Sequence, residues 1–328
     1  MFTLTLLLQW SFASVFATGA EAPTAPVGIP QPEELGAVTW LRDYEEALTA
    51  SAESGKPVFV LFQEVPGCSN CTRYGNAVLS HPLIVEAIET EFVPLAVFNN
   101  KRGADAAVLK RYGEPSWNNP VTRIVNAEGE DIVARMPNFG STAELLRGMN
   151  SALRRSGKEV PAYLRLLFEE YAGRESGART ATYETACFWS GEGFFGEQAG
   201  VIATEAGWQN GREVVRVRYD AGTTAQADLD AAAAKKGYRL RENGAFRLDR
   251  EPKYYLSKSR YAVVPMAELQ ASRVNALIGQ RRSPDALLSP RRLQVLAEAE
   301  GRSDVPSAIG EEPLADRWSR ALKAISGV

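Results

Sequence analysis

An apolar, β-rich run, Pro57-Val58-Phe59-Val60-Leu61-Phe62, leads into Val65-Pro66-Gly67-Cys68-Ser69-Asn70-Cys71, and no other stretch constrains this chain's fold as much. The run reads as a buried strand, and residues 72–79 continue as a helix. C-x-x-C between a strand and a helix puts its first cysteine at a helix N-terminus, where free N–H groups and the macrodipole favour a thiolate. Cys68 is therefore the expected nucleophile and Cys71 its resolving partner. Two other readings stand beside this one. Half of a zinc site needs a second ligand pair, for which the sequence offers only Cys187 and its single histidine, His81. A permanent structural disulfide is the other. The redox reading needs neither a metal nor a cofactor.

With 328 residues, 45% hydrophobic and 23% charged, the chain has ordinary globular composition and room for about two domains with flanking segments. A net charge of -3 and dispersed arginines leave no basic footprint, so nucleic acid is excluded as a partner. Residues 1–22 read as an export signal: an apolar run through Phe16 is followed by the small residues Ala17, Gly19, Ala20 and Ala22, although no Lys or Arg precedes Arg42. The alternative is a retained membrane tether, against which Gln9 and Ser11 interrupt the run. Export places the protein in a periplasmic or extracellular, oxidising setting, where three cysteines leave one thiol free or transiently paired.

Residues 23–37, rich in Pro and Ala, read as a linker. Trp40, Leu41, Tyr44, Ala47 and Leu48 then define an amphipathic helix that stops at Gly55-Lys56-Pro57. After the cysteines come a helix over 82–89, a strand over 92–98, and a loop over 99–117 holding a short helix at 104–112. A hairpin over 124–126 and 132–136 turns through Glu128-Gly129, and a helix over 141–154 starts at a Ser141 or Thr142 cap.

C-x-x-C after an early strand and a proline before a late one together resemble the thioredoxin superfamily, over residues 38–156. The resemblance implies an α/β fold in which Pro120, the counterpart of the family's cis-proline, faces the cysteine pair and contacts substrate. The Trp-Cys-Gly-Pro-Cys form is absent. Val65-Pro66-Gly67-Cys68 is similar instead to thioredoxin-like proteins and selenoproteins with V-P-G-(U or C)-x-T-C, Asn70 standing where these have Thr.

A linking helix and loop over 157–178, long enough to let distant cysteines meet, lead to a second unit at 179–262. There Ala186-Cys187-Phe188-Trp189-Ser190-Gly191-Glu192 resembles the G-C-F-W-G-x-E motif of peptide methionine sulfoxide reductase A. Gly207-Trp208 and the stretch from Gly211 through Glu213 to Tyr219-Asp220 follow that family's G-Y and H-x-E-V-V-x-V-x-Y-D segments in order. Reducing a sulfoxide takes a thiolate to attack sulfur, an acid for the oxygen and an apolar pocket for the methyl group. The resemblance gives these roles to Cys187, to Glu213 with a pKa raised by burial, and to Phe188 with Trp189. Glu192 reads as a surface residue of the helix. On the other reading Cys187 is a buried core cysteine and Glu213 lies on the solvent face of a strand. The family's D-x-G-x-Q-Y-R-S segment is missing, replaced by a helix-forming run at 225–236 and strands near 238–241 and 246–248. Its oxyanion-holding tyrosine has no counterpart in sequence.

Residues 263–328 form a helical tail with helices over 266–280, 289–300 and 314–325, the last free to pack on a partner or fray. The expected architecture is an α/β thioredoxin-like domain, then a smaller α+β domain resembling methionine sulfoxide reductase A, then that tail. The expected function is thiol-dependent reduction of methionine sulfoxide in exported proteins, with electrons passed from Cys68-Cys71 to Cys187. Expected partners are oxidised protein or peptide substrates and an external thiol reductant or membrane electron donor. A general thiol-disulfide oxidoreductase with a client-binding second unit, and a non-enzymatic envelope module, are the alternatives.

Overall fold

A computed structural model describes residues 31–117, 120–137 and 141–326. The export segment and most of the linker lie outside the described residues. The linker's last part belongs to the folded unit: residues Glu33–Leu35 form a 3-10 turn in which Glu34 and Leu35 are buried. That turn rests on a glycine, since a Cβ on Gly75 would lie 1.9 Å from the Glu33 carbonyl oxygen.

Helix α1 (Tyr44–Ser54) starts at Asp43, whose carboxylate accepts from the Glu46 N–H at 2.9 Å, and stops at left-handed Gly55. Strand β1 (Val58–Gln63) follows, buried along its whole length. Then come α2 (Ser69–Ala77), α3 (Pro82–Glu91), β2 (Val93–Phe98), α4 (Ala104–Tyr112), β3 (Val121–Val125), β4 (Met136–Pro137) and α5 (Thr142–Arg155). The sheet order is β2-β1-β3-β4, with β2 parallel and β3 antiparallel to β1. Alternation along β1 feeds two cores. Phe59 and Leu61 pack with α3 and α5 on one face, and Val58, Val60 and Phe62 pack with α1 and α4 on the other. Burial of each such side chain contributes roughly 1.5–3 kcal/mol. The expected hairpin is shorter than its sequence suggests, reduced to an Asp131 bridge and the two-residue β4.

Helix α6 (Ala162–Glu175) occupies most of the linking segment and is no slack tether, because Tyr163, Leu164 and Leu167 sit in the first core. Beyond it lie β5 (Arg179–Glu184), α7 (Phe188–Gly196), β6 (Val201–Gln209), β7 (Arg212–Tyr219), α8 (Gln226–Lys235), β8 (Arg239–Leu240) and β9 (Phe246–Leu248). The second sheet is antiparallel in the order β8-β5-β7-β6-β9. Strands β6 and β7 form a hairpin through Asn210-Gly211, both at positive φ as a two-residue turn of the right twist requires.

The last segment carries α9 (Tyr254–Ser257), α10 (Glu268–Gly279), α11 (Pro290–Glu298) and α12 (Leu314–Ser326). These helices fasten the two sheets rather than trail from them. Helix α10 packs on α6 and α7, and the Leu269 N–H at its start donates to Glu170 of α6 at 2.8 Å. Fully buried Glu86 of α3 accepts from Ser289 Oγ at 2.7 Å, Arg291 N at 2.8 Å and Arg292 Nη1 at 3.1 Å, and so caps α11. The equally buried Arg292 guanidinium lies 4.8 Å over the Trp318 ring, which holds α12 in place. Among the described residues no helix is long and apolar enough to cross a membrane.

Candidate active site

The chain leaves β1 at Gln63, passes the cis Val65–Pro66 bond and left-handed Gly67, and enters α2 with Cys68 as its N-cap. Cys68 is partly exposed, and its Sγ accepts the Cys71 N–H at 3.3 Å. Cys71 is wholly buried, one turn inside the helix. Burial first, then its hydrogen bond to Cys68, push the Cys71 thiol well above the ordinary thiol range. The pair therefore has one reachable sulfur backed by one that holds its proton.

Two residues outside the motif hold this loop. Glu34, 6% exposed, accepts the Gly67 N–H through Oε1 at 3.1 Å. The buried Gln63 amide donates to the Glu34 carbonyl and, at 3.3 Å, to the Cys71 carbonyl. Gln63 had a sequence signal, a lone amide ending an apolar strand, whereas Glu34 sat within an apparent linker and had none. Pro120 is buried at the head of β3, and since Phe62 pairs with Val121 it stands at the end of β1 from which the cysteine loop departs. Its bond to Asn119 lies outside the described residues. Trp117, in the same connection, is 80% exposed.

On the second sheet, β5 ends where the Thr185 N–H donates to the Glu213 carbonyl at 3.0 Å, and Cys187 becomes the N-cap of α7. The Cys187 side chain makes no cap bond; Glu213 of β7 supplies it, accepting the Phe188 N–H through Oε2 at 2.9 Å. Register accounts for this, because β7 lies beside β5 and Glu213 falls one position past the Glu184–Val214 pair. The structure thus brings Cys187, Glu213, Phe188 and Trp189 to one helix start. Phe188 meets the Trp189 and Trp208 rings edge-on, both at 5.5 Å, and Trp189 stacks on Tyr254 at 3.8 Å. The Trp189 Nε1 is buried without a partner. The Tyr238 phenol is pushed up by burial first, then by negative charge on Cys187 and Tyr255.

Glu192 corrects the sequence reading. It is 0% exposed rather than on the surface, with Oε2 accepting the Lys253 N–H at 3.0 Å and Oε1 accepting Lys253 Nζ at 2.7 Å. Lys253, in a left-handed conformation at φ 53, also donates to the Thr204 carbonyl. This pair straps residues 253–255 across α7, where the Tyr255 hydroxyl meets Ser190 Oγ at 3.3 Å. His81 is partly buried, its Nδ1 shielded from solvent and its ring edge-on to Tyr171 at 5.9 Å, and desolvation pulls it down to about 4. Among the described residues no group of three or more His, Cys, Asp or Glu could hold a metal ion.

Residues 39–127 match a family model described as thioredoxin-like. Among solved structures the chain is similar to one titled DsbH Oxidoreductase, at 20% identity and a TM-score of 0.32 over 40% of this chain and 96% of that one. It is also similar to a thioredoxin from Thermus thermophilus, at 26% identity and a TM-score of 0.32 over 37% of this chain and 91% of that one. No curated protein matches the chain. Residues 39–127, which carry β1 to β3 and the Cys68-Cys71 loop, are thioredoxin-like.

Proposed function

We propose that this protein is an exported thiol-disulfide oxidoreductase that exchanges electrons with oxidised protein or peptide clients through Cys68 and Cys71. The observation that carries this reading is the reachable Cys68 sulfur at the start of α2, 3.3 Å from the N–H of a buried Cys71. In the reducing direction the Cys68 thiolate attacks a client disulfide, one client sulfur leaves as a thiol, and a mixed disulfide forms. Cys71 then gives up its proton and displaces the second client sulfur, leaving Cys68 and Cys71 joined. An external thiol reductant or membrane electron donor resets the pair. Pro120 and the exposed Trp117 stand on the connection that meets the client. A disulfide-reduction assay decides: Cys68→Ser should abolish activity, and equal rates in variant and wild type sink the reading in favour of a non-enzymatic module.

Export rests on residues 1–22, and N-terminal sequencing of secreted protein should find a start near Thr18 or Glu21. An intact Met1 there overturns it. We also read residues 38–156 and 179–262 as the two functional units.

A second reading, reduction of methionine sulfoxide at Cys187 in the manner of methionine sulfoxide reductase A, is favoured by the Glu213 carboxylate beside the Cys187 helix start. Cys187 attacks the sulfoxide sulfur, Glu213 protonates the oxygen, and methionine leaves while Cys187 becomes a sulfenic acid. Phe188 and Trp189 receive the methyl group. With α6 packed in the first core, the handover from Cys68-Cys71 to Cys187 falls to a mobile thiol carrier rather than to a swinging linker. A sulfoxide assay in which Cys187→Ser retains wild-type activity would leave the second unit as a client-binding scaffold.

A further inference from the structure

Ser190, Phe194 and Glu197 are spaced i, i+4 and i+7, so they follow one face of α7 and its extension, starting three residues after Cys187, the N-cap. Below Cys187 that face lines a cavity of about 270 Å³, whose other walls include Lys236, Tyr238 and Tyr255. From Ser190 to Glu197 the cavity runs about 10 Å along the helix, at about 1.5 Å per residue. Its charges are underused. The Lys236 ammonium lies 5.7 Å over the Phe194 ring rather than against a carboxylate. Among the described residues Glu197 makes one long ion-pair approach, from Arg282 at 4.0 Å, and shares the electrostatic field of Arg273. Two phenols on the walls add hydroxyl groups, and Tyr238 feels the charge of Cys187. The unit around Cys187 carries no second thiol, because the other two cysteines, Cys68 and Cys71, belong to the first sheet's domain.

We infer that this cavity docks a small zwitterionic peptide thiol, with a carboxylate toward Lys236 and an ammonium toward Glu197, whose sulfur resolves Cys187. The inference rests on the second reading above, in which Cys187 is a reactive thiol. The sulfenic acid of Cys187 condenses with the docked thiol, RSH, forming Cys187–S–S–R and releasing water. A second RSH attacks the R sulfur, returns Cys187 to the thiol and leaves as R–S–S–R, so two thiols supply the two electrons. Run in reverse, the thiolate of Cys187 attacks R–S–S–R, one S–S bond breaks as another forms, and RS⁻ departs. This reverse step can be measured without a sulfoxide.

The test uses the full chain carrying Cys68→Ser and Cys71→Ala, treated with oxidised glutathione or with uncharged hydroxyethyl disulfide and followed by intact-mass spectrometry. Peptide mapping of the treated wild type checks that the adduct forms on Cys187 in the unaltered fold. The rate ratio, zwitterionic over uncharged, should fall about five-fold in Lys236→Gln, the scale of one exposed charge contact. Lys235→Gln, on a residue outside the cavity lining, should keep the starting ratio. A ratio unchanged by Lys236→Gln overturns the docking site and leaves Cys187 a reactive thiol. Inertness toward both disulfides overturns that reading as well, and the docking site with it.

Discussion

Protonation of Cys71 couples directly to folding. Its thiol is raised in the folded protein, so between the ordinary thiol pKa and the folded value the native state holds a proton that the unfolded chain has lost. Stability from this group is full below about pH 8.5 and declines as pH rises above it. The reduced protein should therefore lose urea midpoint as pH rises above about 8.5, and Cys71→Ala should flatten the slope between about pH 8.5 and 9, below the range near pH 10 where the raised tyrosines, Tyr74, Tyr112, Tyr163 and Tyr183 among them, take over. An equally steep slope in Cys71→Ala would place its origin elsewhere. The same burial orders reactivity: iodoacetamide at mildly acidic pH should label Cys68 first, and faster labelling of Cys71 reverses the assignment of nucleophile. At Glu213 the prediction separates chemistry from capping. Glu213→Gln keeps an acceptor for the Phe188 N–H but has no proton to give, so sulfoxide reduction should drop about a hundred-fold while the melting temperature stays near wild type. Unchanged sulfoxide turnover removes Glu213 from the proton transfer.

At the scale of elements, what the sequence made legible followed range. Strand β1, the helix after Cys68, the Ser141 cap and helices α8, α10 and α11 each announce themselves within a few residues, through apolar period or a capping side chain. Strand β6 has no place in the sequence reading, although Asn210-Gly211 ahead of the alternating Val215, Val217 and Tyr219 is a hairpin signal. The buried pair Glu192–Lys253 joins positions 61 residues apart and left no local trace, since a glutamate in the middle of a short helix looks solvent-facing. That strap has its own consequence. Glu192→Ala leaves the Lys253 ammonium mostly buried without its carboxylate, which costs about 3–5 kcal/mol, whereas Glu192→Gln keeps hydrogen-bonding atoms and costs less. The ordering should appear in urea unfolding, with a weakened near-UV circular dichroism band from the Trp189–Tyr254 stack in Glu192→Ala. An unaltered band there means that the strap does not depend on the pair.

Across the whole molecule, the C-terminal helices matter because they convert two sheets into one fastened body. The joint is Glu86 with Arg292: each is wholly buried, they meet at 3.1 Å, and burial pulls the guanidinium down to about 10 even with Glu86 beside it. Glu86 also holds the Arg291 N–H of α11 and the Ser289 hydroxyl at its start, while Arg292 donates to the Pro265 carbonyl at 2.7 Å and supports α12 through Trp318. Taking either partner alone leaves a buried charge without its counter-ion, at about 3–5 kcal/mol, whereas replacing both with apolar side chains of similar length removes the cost of desolvating the pair. Glu86→Leu and Arg292→Met should each lower the urea midpoint strongly, and the double variant should be less destabilised than the two single effects summed, with a coupling of about 0.5–3 kcal/mol. Because α6 lies in the first core and α10 packs on both α6 and α7, unfolding followed by Trp189 fluorescence and by Cys71 labelling should occur in one transition in the wild type. In Glu86→Leu the two signals should separate, the Cys71 region opening at lower urea than the Trp189 region. Additive single effects, with the two signals still coincident in Glu86→Leu, would show that the fastening lies elsewhere along α6 and α10.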